Sequence, residues 1–275
     1  MTTRIRLLVL AFTGMTSLLP AQTIVAFGDS TTASRGETVV YSSILRDELL
    51  FDGKKIKVLN AGIGGNTTKT AKARFDKDVL EAKPEVVVIQ FGINDSAVDV
   101  WAKVPATKPR VSLEDYRSNL TSMVQTLKQR GARAVLMTSN SMTWTPTLLK
   151  LYGKPPYLPD DADGMNVVLR DYVQAVREIA KAEDVGLVDV YEAFQEAVKK
   201  KKPGKGLCLD GMHPGDEGHR IVANLLVANL ANADKRFARR PNRVWKQSGE
   251  VNTVSPFATD MTHDTLGPMT SPKTR

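Results

Sequence analysis

Cysteine is almost absent: the 275 residues contain one, Cys208. A single thiol excludes an intramolecular disulfide, so the domain must be held by its core even in an oxidising compartment. Long apolar runs are scarce too. Beyond the N-terminus no segment approaches the roughly 20 apolar residues that a membrane-spanning helix needs. Acidic residues fall short of basic ones, 30 against 38, leaving a formal net charge of +8. Much of that excess sits in two places, Lys199 to Lys202 and the stretch from Lys235 to Lys246. Clusters of this kind in a loop and a tail read as solvated faces, so no nucleic-acid partner is expected.

What is present begins with Arg4 and Arg6, then the apolar run Leu7 to Phe12, then Leu18-Leu19-Pro20-Ala21. Basic, apolar and small residues in that order are the layout of a secretory signal peptide over 1–21. A secreted or periplasmic protein with no stable membrane span after processing is therefore expected. The hydrophobic fraction of 42% and charged fraction of 25% suit one soluble globular domain.

Near-continuous apolar runs at Ile24–Phe27, Lys57–Leu59, Val86–Phe91, Ala134–Thr138 and Gly186–Val190 read as strands buried on both faces. Helical periodicity occupies Val40–Leu50, Ala71–Ala82, Leu113–Gln129, Met165–Ala182, Tyr191–Val198 and His219–Leu230. Ser112 ahead of Glu114 and Asp115 is an N-cap signal, and Gly131 marks that helix's end. Strands alternating with helices predict an α/β fold: a three-layer α/β/α sandwich on a five-stranded parallel sheet, flavodoxin-like in type. The periodicity stops near 235, which divides the chain into a domain over 22–235 and a basic, disordered tail over 236–275.

Ligands of such sheets bind outside the carboxyl ends of the strands. Four segments stand there. Gly28-Asp29-Ser30-Thr31 places a hydroxyl at a strand-to-helix turn, though the same residues also make ordinary turns. Asn60-Ala61-Gly62-Ile63-Gly64-Gly65-Asn66-Thr67 lets backbone N–H groups approach an oxyanion or a phosphate; it has neither the Gly-Lys-Ser/Thr ending of a P-loop nor Gly-x-Gly-x-x-Gly. Gly92-Ile93-Asn94-Asp95 offers an amide that suits an oxyanion or a helix cap. Asp210-Gly211-Met212-His213 sets a carboxylate and an imidazole within one turn, as a serine's general base and its orienting partner require.

In order and spacing these segments resemble the conserved blocks of the GDSL (SGNH) hydrolase superfamily, from about Ile24 to His219. The resemblance implies a serine esterase in which Ser30 is the nucleophile, His213 the general base and Asp210 its orienter. It also implies an oxyanion hole of the Ser30 amide, Gly65 and Asn94, with no cofactor and no metal. Thr31 departs from the family's leucine without touching the chemistry.

Three rivals use the same residues: a metal hydrolase on Asp210, His213, Asp216 and His219; a thiol nucleophile at Cys208; and a non-catalytic carbohydrate-binding protein that keeps the fold. The first leaves Ser30 and Asn94 idle, and the last has no use for an aspartate–histidine pair behind a serine. For substrate, the segment 140–163 with Trp144 and Tyr157, together with Trp101, walls a pocket in which aromatic faces suit sugar rings or simply anchor loops. The resemblance favours removal of short acyl groups, acetyl above all, from carbohydrate; lysophospholipase, thioesterase or arylesterase activity is the alternative.

Overall fold

The computed structural model describes residues 22–200, 207–241, 246–247 and 250–251. The expected leader at 1–21, half of the lysine run and the tail from 252 onward lie outside the described residues.

The chain runs through β1 (Thr23–Gly28), α1 (Tyr41–Glu48), β2 (Leu49–Phe51), β3 (Lys54–Lys55), β4 (Lys57–Gly62), α2 (Thr68–Asp78) and β5 (Val86–Gln90). It continues with α3 (Leu113–Gln129), β6 (Arg133–Met137), α4 (Pro146–Tyr152), α5 (Leu169–Ala182), β7 (Gly186–Val188), α6 (Val190–Lys200), α7 (Asp216–Ala233) and β8 (Phe237–Arg239). Five strands form one sheet in the order β4-β1-β5-β6-β7, every pair parallel.

Alternation along each strand supplies two cores. Val25 and Phe27, Val87 and Ile89, Ala134 and Leu136 face one side, against Phe75 of α2, Leu120 of α3 and Val176 of α5. Ile24 and Ala26, Val86 and Val88, Val135 and Met137 face the other, against Leu45 of α1, Phe194 of α6 and Leu226 of α7. Both faces are covered, and that is why the central strands lack polar alternation. The outer strand β4 is half-exposed instead.

The strand order reverses beside β1: the chain leaves β1 for β4 on one side and returns to β5 on the other. In a sheet of this order the binding crevice opens between those two carboxyl ends. Ser30 follows β1 and Asn94 follows β5.

Three features depart from the sequence reading. The helix expected to reach Leu50 ends at Glu48, where the chain becomes β2. The segment 140–163 contains α4, with Thr145 as N-cap and Pro146 in the first turn, a position where a missing N–H costs nothing. The compact unit runs through Arg240 rather than stopping at 235, because β8 pairs antiparallel with β2, which also pairs with β3. Phe237 is buried there against the Phe51 ring, centroids 4.9 Å apart. Beyond it, Lys246–Gln247 and Glu250–Val251 form a separate antiparallel pair.

Candidate active site

Ser30 stands in a tight turn between β1 and α1. The Asp29 carbonyl accepts from the Thr32 and Ala33 amides at 3.2 and 3.0 Å, and α1 begins only at Tyr41. This turn packs so closely on the end of β4 that a β-carbon on Gly62 would lie 2.3 Å from the Ala33 nitrogen. Only glycine permits that approach.

The Asp-x-x-His turn comes to the same place from the far end of the chain. His213 Nε2 lies 2.9 Å from Ser30 Oγ, and His213 Nδ1 lies 2.7 Å from Asp210 Oδ2. Asp210 Oδ1 accepts from the Met212 and His213 amides at 3.1 and 2.8 Å. Burial pushes this carboxyl up, but those hydrogen bonds outweigh it and hold Asp210 below the ordinary carboxylate range. The turn is moored to the segment after β6: Thr143 N–H donates to the Gly211 carbonyl at 2.8 Å and Asn140 Nδ2 to the Met212 carbonyl at 2.8 Å.

The glycine segment lies alongside. Asn66 N–H donates to the Ile63 carbonyl at 3.3 Å, closing a turn in which Gly65 takes φ of +74°, the value that favours glycine in the third position. A β-carbon on Gly64 would stand 3.9 Å from the Ser30 Cβ. Arg74 of α2 ties the parts together, its Nη1 on the Ala61 carbonyl, Nη2 on the Gly28 carbonyl and Nε on Asn66 Oδ1, all within 2.9 Å. Its guanidinium also covers the Phe27 ring at 4.4 Å.

Asn94 Nδ2 donates to Asp29 Oδ2 at 3.3 Å, and its Oδ1 accepts from Arg110 Nη1 at 3.2 Å. Asp29 is buried and accepts from the Thr31 amide and hydroxyl at 2.8 and 2.9 Å; burial still raises its carboxyl pKa. Asp95, fully buried, accepts from the Thr68 amide and hydroxyl at the start of α2, and burial pushes it up to about 6. Both carboxylates organise hydrogen bonds among the loops.

The three aromatic residues expected to wall a pocket all brace loops. Trp101 Nε1 donates to the Tyr152 hydroxyl at 3.2 Å, and Trp144 Nε1 to the Asp161 carbonyl at 2.9 Å. Tyr157 is buried and its hydroxyl accepts from the Val98 amide at 2.9 Å. Trp101 remains half-exposed, and Tyr157 lines a small apolar cavity with Ile93, Met142, Tyr152, Met165 and Met212.

The thiol rival finds less support. Burial first, then the Asp210 charge, pushes the Cys208 thiol up to about 12, so it stays protonated and is a poor nucleophile. Among the described residues no group of three or more His, Cys, Asp or Glu side chains is arranged to hold a metal ion. His219 is buried in α7 against Tyr41.

Sequence reasoning passed over Arg74, Arg110 and Asn140. Arg74 had a signal, six residues beyond Thr68 on the helix after the glycine turn. The other two become recognisable only through partners distant in the fold.

The model of the GDSL-like lipase/acylhydrolase family matches residues 26–221. An acetylxylan esterase of Geobacillus stearothermophilus is 32% identical over 179 residues, 64% of this chain and 72% of that protein. An uncharacterized lipoprotein of Bacillus subtilis, YqeF, is 32% identical over 214 residues, covering 72% and 85% of the two chains. The crystal structure of the Geobacillus esterase Axe2 superposes with a TM-score of 0.59 at 28% identity, over 76% of this chain and 94% of that one. With the strand order, the switch-point crevice and these relatives in agreement, the chain belongs to the GDSL-like lipase/acylhydrolase family and is a carboxylic ester hydrolase.

Proposed function

We propose that Ser30, His213 and Asp210 form a catalytic triad that removes short acyl groups, acetyl above all, from carbohydrate. The observation that carries the triad is the unbroken line of contacts from Ser30 Oγ to His213 Nε2 at 2.9 Å and from His213 Nδ1 to Asp210 Oδ2 at 2.7 Å. In this reading His213 Nδ1 keeps its proton for Asp210, which leaves Nε2 to take the Ser30 proton as Oγ attacks the ester carbonyl. The Ser30 amide, Gly65 N–H and Asn94 Nδ2 hold the tetrahedral oxyanion. His213 then hands its proton to the departing alcohol oxygen, and water attacks the acyl-serine by the same route in reverse.

The likeness to known esterases favours a short acyl group. One relative is named for acetylxylan. Export is part of the same reading, supported by the basic-apolar-small order of residues 1–21 and by a relative named as a lipoprotein. Recovery of all the expressed protein from cytosol with its N-terminus intact would overturn export.

Wild type and Ser30→Ala, each offered p-nitrophenyl acetate, octanoate and palmitate and then acetylated xylan, test the enzyme. Turnover should fall with chain length, acetate should appear from xylan, and the variant should lose several orders of magnitude on every substrate. A variant that keeps the wild-type rate overturns the nucleophile. A preference for palmitate over acetate overturns the substrate class.

A further inference from the structure

Asn94 poses a problem that the triad does not solve. A primary carboxamide has two ends of nearly the same shape: one donates, the other only accepts. Rotated by half a turn, Asn94 would offer lone pairs to a developing oxyanion and repel it. Something must decide which end faces the reaction.

Arg110 is placed to decide it. The backbone brings the residue back over the end of β5, with the Arg110 and Val111 amides donating to the Ala97 and Asp95 carbonyls at 3.0 and 3.1 Å. The guanidinium is locked by Asp99, Nε on Oδ2 at 2.9 Å and Nη2 on Oδ1 at 2.7 Å. Its remaining arm, Nη1, reaches Asn94 Oδ1 at 3.2 Å. On the amide's other end Nδ2 donates to Asp29 Oδ2 at 3.3 Å.

We propose that Arg110 is a positioning residue that fixes the rotation of the Asn94 amide and so keeps an N–H directed at the oxyanion. The inference rests on Asn94 acting as an oxyanion donor. Guanidinium has donors only and never loses its charge in this setting, so it accepts no alternative rotation. Asp29 is a weaker arbiter: its contact with Asn94 is 3.3 Å long, and its other oxygen is already engaged by the Thr31 amide and hydroxyl. Asp99 neutralises the arginine, so Arg110 supplies orientation without leaving an unpaired cation beside the substrate.

The prediction concerns kcat rather than KM, because the oxyanion exists only in the transition state. On p-nitrophenyl acetate, Asn94→Ala should lower kcat by about 10²–10³-fold. Arg110→Ala should lower it by roughly 10- to 100-fold, with KM within about twofold of wild type. The double variant should fall within about twofold of Asn94→Ala alone, since an orienting group has no effect once its target is gone. Arg110→Lys should recover only part of the loss, because an ammonium cannot bind Asp99 through two bonds and reach Asn94 as well.

An Arg110→Ala enzyme with wild-type kcat overturns the proposal, and so does a double variant whose loss is the product of the two single losses. If Arg110→Ala does not fold, Arg110→Met, which keeps the aliphatic stem, enters the same cycle. If Asn94→Ala leaves kcat unchanged, it is the donor role of Asn94 that fails, a result distinct from failure of the arginine's role.

Discussion

In the proposed triad His213 Nε2 accepts a proton only while Nδ1 keeps its own, and Asp210, 2.7 Å from Nδ1, is the group that would tie the ring to that tautomer. An amide in its place would offer N–H to Nδ1 and favour the opposite tautomer. Asp210→Asn should therefore lower kcat on p-nitrophenyl acetate while leaving KM close to wild type. The Asp210 side chain is 51% exposed, so water can replace part of its function. The loss should be about 10²–10³-fold, below the roughly 10⁴-fold typical of a buried triad aspartate. A kcat within a factor of two of wild type would show that the contact does not set the tautomer.

Among elements, the three-stranded sheet of β3, β2 and β8 contributes through a few large contacts. Phe237 is 2% exposed, with the Phe51 ring at 4.9 Å on one side and the Arg133 guanidinium at 5.1 Å from its own ring on another. Phe237→Ala opens a cavity that short strands cannot close, and should cost about 3–5 kcal/mol in urea unfolding. Because this sheet shares no residue with the Ser30, Asn94 or His213 loops, kcat below the unfolding transition should not change. A loss under about 1 kcal/mol would mean that β8 is only loosely attached.

The same elements mark where the sequence could be read and where it could not. The central strands β1, β5 and β6 announced themselves because burial on both faces makes each a continuous apolar run, while the outer β4 and β7 were legible from short apolar runs alone. The four candidate segments stood out because a crevice needs chemistry at strand ends, and chemistry-bearing residues in loops are conspicuous. β2, β3 and β8 carry no such pattern: three residues or fewer cannot display a period, and β8 finds its partner across more than half the chain. Arg110 was hidden for a similar reason, since an arginine beside Pro109 in a polar loop looks solvated until the fold brings Asn94 and Asp99 to it. The expected aromatic wall shows the opposite limit, in that sequence marked Trp101, Trp144 and Tyr157 as aromatic loop residues but not which way their polar atoms turned.

For the molecule as a whole, buried ionisable groups set opposing pH dependences. Burial lowers His219 from 6.5 to about 4, against the upward pull of Asp216 and with a further downward push from Arg35. Between those values the unfolded chain binds a proton that the folded one refuses, so His219 makes stability fall on acidification, by up to about 3 kcal/mol. Asp95 works in the other sense. Its carboxyl is raised from 3.8 to about 6, so over that interval the folded chain holds a proton that the unfolded one releases, and stability rises on acidification. Asp29, also raised, adds to Asp95, whereas Asp210, held low, adds to His219. The His219 and Asp95 intervals nearly coincide, and their effects oppose each other from about pH 6 to about pH 4. Removing either should expose the other. Thermal melts at pH 6.5 and pH 4 should give His219→Gln a more favourable change in Tm on acidification than wild type, and Asp95→Asn a less favourable one. Using each protein's own difference between the two pH values cancels the packing cost of the substitution. Equal differences in all three proteins would mean that neither group titrates between the folded and unfolded states as its burial requires.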